Sequence, residues 1–294
     1  MKYIHTFWSK PLYQNKFNKF NVSLNSILLD YAYSAHCIHA IDEKIVLFAD
    51  KKGADLLSFI PYDEVHIVDN MDDQSLHFAA QIKFYALQHS ELGDAIIDGD
   101  LFIKKQKTHD IITGSDADIV YSFFEPYDYT VRFDSVKSNY TAMNYIMGKY
   151  GYDAPYRLPQ SWDEYGWMNT SLMILNNQEL KDEYIRQYYH HKDMLSQDDF
   201  YDCWPDIIIE QKFLTLLCEA RNYKTEPVIP DFWFDENAND YALEIGFTHL
   251  GHGKHAHVDW IREMLSLENP HLYRLYLERY EDNKLSEREN EREY

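Results

Sequence analysis

The run "IVLFA" over residues 45–49 and the run "AII" over residues 95–97 contain no polar side chain, so each must be covered on both faces of whatever it forms. Such runs, separated by stretches with helical spacing, restrict the chain to a mostly parallel sheet flanked by helices on both faces. "KYIHTFW" predicts the first strand over residues 2–8, and Leu24, Ile27, Leu28, Tyr31, Ala35 and Ile38 recur at helical spacing. "KIVLFA" predicts a second strand and a short following helix, and "DEVHIVD" a third strand. A helix is then expected over residues 76–89, with "DAIIDGDLFI" a fourth strand over residues 94–103. Further along, "WMNTSLMILNN" predicts a strand, "ELKDEYIRQYYHHKDML" a charged helix, and "PDIIIEQKFLTLLCEA" a buried helix beginning near Pro205. A last amphipathic helix carries Trp260, Ile261, Met264 and Leu265. The expectation is a single Rossmann-like α/β domain over residues 1–275, followed by a charged helix end and tail over residues 276–294. Ligands of such folds bind beyond the carboxyl ends of the strands.

That architecture needs a large apolar core, and 45% apolar content in 294 residues supplies one. Acids outnumber bases 49 to 28, a formal charge of -21, which argues against nucleic acid as the main partner. Cys37, Cys203 and Cys218 are far apart, with no CxxC pair, so neither a disulfide framework nor a thiolate metal site is signalled. No apolar stretch reaches the length needed to cross a bilayer, and the N-terminus lacks an apolar signal core. The expected setting is cytoplasmic, and the oligomeric state is left open.

Two acids, Asp98 and Asp100, interrupt the apolar fourth strand around Gly99. Buried carboxylates need a partner, and a divalent cation is a natural one. In an extended strand residues two apart point to one side, so both acids would converge on one ligand while Gly99 admits it close to the backbone. Hard carboxylate oxygens suit Mn or Mg bridging the phosphates of a nucleotide. The alternative is a pair of ordinary acids at a strand end.

The order of "VLFADKKGADLL", "AAQIKFYAL", "AIIDGDLFI", "MNTSLMILNN", "EQKFL" and "HLGHGKH" resembles that of GT-A fold, DxD-containing glycosyltransferases, including the glycogenin-like and bacterial lipopolysaccharide galactosyltransferase group. The resemblance covers roughly residues 1–260. It implies a nucleotide-sugar donor, UDP-linked by preference, with Asp98 on the donor ribose and metal and Asp100 on the metal. It also implies that Asn169 lines the sugar pocket; Ser171 stands where glycine is more usual. The group's pattern is a histidine, a glycine three later and a lysine six later. Gly251 and Lys254 fit that spacing only if Thr248 fills the histidine position, so a metal-binding histidine must be a neighbour, His249 or His252, or be absent; His249 is preferred. Lys254 would then face the β-phosphate.

Lys83 breaks the apolar stripe of Leu76, Ala79, Ala80 and Leu87, and a lysine there either snorkels outward or meets an anion. Asp50 follows an apolar strand and either accepts from the donor nucleoside or caps a helix. Thr6 and Trp8 close the first strand; Trp8 stacks on a base or fills the core. Glu210 and Gln211 open a buried helix, near the position where the resemblance implies an acid or amide beside the reacting sugar carbon, and Asp163, Glu164, Asp198 and Asp199 compete with Glu210 for the general base that an inverting transfer needs. The leading reading is a metal-dependent hexosyltransferase acting on a carbohydrate or lipid-linked acceptor. One alternative is a GT-A fold that binds a sugar nucleotide or a partner without turnover. Another is a haloacid dehalogenase-type phosphatase, which the late position of "IIDGD" disfavours.

Overall fold

Side chains of the central strands alternate between two separate cores, which is what a sheet covered on both faces requires. The structure, a computed structural model, describes residues 1–13, 23–69, 71, 79–125, 166–194, 208–230, 236–250 and 254–290. The first part contains β1 (Lys2–Phe7), α1 (Lys10–Tyr13), α2 (Leu24–Ala40), β2 (Lys44–Ala49), α3 (Lys51–Leu56) and β3 (Glu64–Ile67). Next come α4 (Gln81–His89), β4 (Ala95–Ile97), β5 (Leu101–Ile103), α5 (Gln106–Gly114) and β6 (Ile119–Glu125). Then follow β7 (Trp167–Leu175), α6 (Gln178–Met194), a π-helical turn (Ile208–Lys212), α7 (Phe213–Arg221) and β8 (Thr225–Pro227). The last elements are α8 (Glu236–Ile245), β9 (Phe247–His249), α9 (Lys254–Glu268) and α10 (Pro270–Asn290).

Seven strands form one sheet in the order β3-β2-β1-β4-β7-β6-β8. β1 pairs in parallel with β2 and β4, β2 with β3, and β6 with β8. β7 runs against both β4 and β6, so it alone is reversed. Tyr3, Phe7, Ile45, Leu47, Ala95 and Ile97 join one core with Leu28, Leu29 and Tyr33 of α2 and Ile261 and Leu265 of α9. Ile4, Val46, Phe48 and Ile96 join the other with Phe84 of α4, Tyr184 and Tyr188 of α6 and Leu214 of α7. The α/β class with helices on both faces is thus the observed one. α10 runs through residue 276, where the charged helix end and tail were expected to begin, and Tyr276 is buried in the first core with its ring beside Phe59.

The strand expected over residues 94–103 is corrected: it is two strands in different sheets. β4 ends at Ile97, and among the described residues β5 pairs with β9 alone, in a small antiparallel sheet. Residues 98–100 form the turn between them, closed by Leu101 N–H donating to the Asp98 carbonyl at 3.1 Å. Gly99 lies under Tyr31 so closely that a Cβ would fall 2.2 Å from the ring, which leaves glycine as the residue that fits. A turn also takes the acids to the rim of the sheet, where an unbroken strand would have carried them through a dry core.

Candidate metal and donor site

The acid turn sits at the carboxyl end of β4, the middle of the seven-stranded sheet. Pairing of β5 with β9 puts Leu101 opposite His249, and Leu250 N–H donates to the Asp100 carbonyl at 3.2 Å. The pairing therefore carries the His249 ring to the turn, with its Nε2 3.7 Å from Asp100 Oδ2. Ligand atoms of Asp98, Asp100 and His249 all lie within 4.8 Å of one another. Two carboxylate oxygens and one imidazole nitrogen suit Mn, and Mg less well because it prefers oxygen alone. The donor set fits the cation expected from the sequence. His249 ends strand β9, and this fixes its backbone.

Lys83, on α4, is 7% exposed. Its Nζ donates to Glu210 Oε1 at 2.5 Å and to the Thr170 carbonyl at 3.2 Å, and lies 3.1 Å from Asp98 Oδ1. The lysine therefore points inward to anions. Burial works against its charge, but Asp98 and Glu210 outweigh that and hold its pKa above the ordinary lysine value. Burial raises the Asp98 pKa, with Asp100 and Glu210 adding to the rise and Lys83 opposing it. A bound cation would lower the cost of two neighbouring carboxylates in the same way.

The turn is also held from beneath. Tyr31 O–H donates to the Thr6 carbonyl at 2.6 Å, and Ser34 Oγ donates to the Leu101 carbonyl at 2.6 Å. With its one hydrogen committed there, Ser34 Oγ must accept from His5 Nε2, 3.0 Å away, so His5 Nδ1 accepts the Tyr62 O–H at 2.9 Å. That tautomer is neutral, and burial agrees, pushing the His5 pKa down to about 3 against the pull of Asp100. None of Tyr31, Ser34 and His5 stands out in the sequence as more than core.

β7 forms the other wall. Its pairing with β6 shifts register between Tyr121 and Phe123, so one residue of β6 faces three of β7. The irregularity lets Thr170 Oγ1 donate to Glu210 Oε1 at 2.7 Å while Ser171 N–H donates to Asn169 Oδ1 at 3.0 Å. Ser171, which stands where glycine is more usual in the group the sequence resembles, has its Oγ 2.6 Å from Ser122 Oγ. Glu210 is buried; Gln211 is half-buried, and its carbonyl accepts from Thr215 Oγ1 at 2.8 Å.

Asp50 accepts from Ser9 N–H at 2.8 Å and Ser9 Oγ at 2.5 Å. It is the N-cap residue of α3, as the capping alternative had it, but its side chain makes no cap bond and is engaged by Ser9 instead. Trp8 is buried in the second core, and Thr6 is half-buried. Lys254 is the first residue of α9, its side chain outside the described residues, as are Gly251, His252, Gly253, Asp163, Glu164, Asp198 and Asp199.

One family model matches residues 1–278, nearly the whole chain. The chain belongs to that family, DUF6734, a family of unknown function. No curated protein matches it. Within this DUF6734 protein, no helix of the described residues is long and apolar enough to cross a membrane. The sequence had passed over Glu125, which ends β6 and accepts from Asn169 Nδ2 at 2.6 Å. The signal was available: an acid closing an apolar run, as Asp98 does.

Proposed function

We propose that this protein is a metal-dependent glycosyltransferase of GT-A fold that moves a sugar from a nucleoside diphosphate donor, UDP-linked by preference, to a carbohydrate or lipid-linked hydroxyl. The observation that carries this reading is the convergence of Asp98, Asp100 and His249 at the carboxyl rim of a mostly parallel sheet. Asp98, Asp100 and His249 would hold Mn or Mg, and that cation would neutralise the diphosphate and favour its departure. The remaining work belongs to the chain. Lys83 bridges Asp98 and Glu210, Asn169 would face the sugar from β7, and the bonds of Tyr31 and Ser34 keep the turn in shape before donor arrives.

Titration of UDP by calorimetry in Mn, in Mg and in EDTA tests this, together with UDP release from a panel of UDP-sugars. Chelation is expected to cut UDP affinity by about 100-fold, and Asp100→Asn to abolish turnover while leaving the melting curve cooperative. In thermal shift, a donor at 100 times its Kd should stabilise the protein by about 2.7 kcal/mol. Equal UDP affinity in EDTA would remove the metal bridge, and binding without turnover would remove the enzyme.

A further inference from the structure

A transfer that inverts the anomeric carbon needs a base for the acceptor hydroxyl, and among the described residues two carboxylates near the acid turn compete for that role. Glu210 Oε1 already receives the Lys83 ammonium and the Thr170 hydroxyl. A carboxylate held that way is a counter-ion and a poor proton acceptor. Glu125 differs. It ends β6, which runs in the same direction as β4 two strand spacings away, about 10 Å across the sheet, and it faces Trp167, four residues along β7 from Ser171, whose carbonyl meets Asp98 N–H. It is half-buried, and the donors that reach it from the described residues are neutral, Asn169 Nδ2 at 2.6 Å and the Trp167 side chain.

The Asn169 amide is itself fixed. Asp98 N–H donates to the Ser171 carbonyl at 2.8 Å, Ser171 N–H to Asn169 Oδ1 at 3.0 Å, and Asn169 Nδ2 to Glu125 at 2.6 Å. Three hydrogen bonds thus tie the acid turn to Glu125. The π-helical turn that delivers Glu210 also delivers Lys212, which is buried with its Nζ 4.3 Å from the centre of the Trp167 ring. Burial raises the Glu125 pKa, the hydrogen bonds from Asn169 and Trp167 work against the rise, and the Lys212 charge adds a smaller pull in the same direction. Such a carboxyl is more basic than a solvated one yet still encouraged to ionise.

We propose that Glu125 is the catalytic base that takes the proton of the acceptor hydroxyl, with Asn169 as its positioning residue and Glu210 as a fixed counter-ion. This rests on the glycosyltransferase reading. The acceptor O–H proton passes to the Glu125 carboxylate as the acceptor oxygen bonds to the anomeric carbon of the donor. The bond from that carbon to the diphosphate oxygen breaks, and its electron pair leaves with the phosphate. The acceptor class is a carbohydrate hydroxyl, for which water is the simplest stand-in.

The test uses the full chain with Mn, UDP-glucose and UDP-galactose, and water as acceptor, reading UDP release by turnover and UDP binding by calorimetry. Glu125→Gln should lower kcat by about 100-fold or more with UDP affinity unchanged. Glu125→Ala should regain roughly tenfold of its lost rate with sodium formate, a small carboxylate that restores a base but not a fold. A Glu125→Gln rate equal to that of the parent overturns the proposal, and so does a folded Glu125→Ala that formate fails to rescue. A parent protein that neither binds UDP nor releases it from either sugar nucleotide overturns the donor reading itself.

Discussion

Lys83 and Lys212 are both buried lysines, and their surroundings push them in opposite directions. Lys83 lies between Asp98 and Glu210 and is held charged above its ordinary range. Burial takes the Lys212 pKa down to about 7, and the attraction of Glu125 offsets only part of this. Burial alone therefore predicts nothing about a lysine's charge; the number and distance of its anions decide. The surroundings of Lys83 are an ionic frame for the acid turn. Those of Lys212 are an apolar setting in which one carboxylate and one amine are tuned towards neutrality.

The largest effect that tests this contrast is expected from Lys83→Met. Removing the cation leaves Glu210 buried without its ion-pair partner, and the loss should be about 3–5 kcal/mol by urea unfolding. Because the folded pKa of Lys83 is raised, its contribution is fully present below the unfolded value near 10.5 and is lost only above it. The cost should therefore be the same at pH 6 and pH 9. A cost as small as that of a surface substitution would remove the frame from the argument.

Smaller effects should come from the supports under the turn. Gly99→Ala forces a methyl group against Tyr31 and should cost about 1–3 kcal/mol, with weaker Mn binding by titration. Ser34→Ala takes the donor from the Leu101 carbonyl and the acceptor from His5, and should cost about 1–3 kcal/mol. Mn affinity unchanged in both variants would mean that the turn holds its shape without them.

Lys212→Met should have the smallest effect and the opposite sign, a gain of about 1 kcal/mol at pH 6. A folded pKa of about 7 lies below the unfolded value of 10.5, so the unfolded chain binds more protons between them and stability rises with pH across that window. The gain should be greatest below pH 7 and fade towards 10.5. Melting curves at pH 6, 8 and 10 check it, and a gain that grew with pH would reverse the comparison.

Much of this arrangement was legible beforehand. Asp98, Asp100 and His249 stand out in the sequence, and the structure brings their ligand atoms together. Lys83 was conspicuous as a cation on an apolar stripe, although only its neighbours show that it turns inward. The reason given for the convergence of the acids was mistaken: a turn braced by Tyr31 brings them together, where strand alternation was expected. Asp50 pairs with Ser9, and no spacing rule foretells a contact between a serine after one strand and an acid after the next.

By itself the sequence determined the layers, because runs such as residues 45–49 can satisfy their apolar side chains only inside a sheet covered on both faces. It also determined which residues bear the chemistry, since acids beside buried runs are conspicuous wherever the chain goes. Only the tertiary structure decided what state those groups are in. Strand order set β7 between β4 and β6, and the shifted register of β7 and the π-helical turn then allotted Lys83 two carboxylates and left Lys212 beside Glu125. Charge in a buried site depends on distances of a few ångströms between elements far apart in the chain, and local pattern carries no information about those distances.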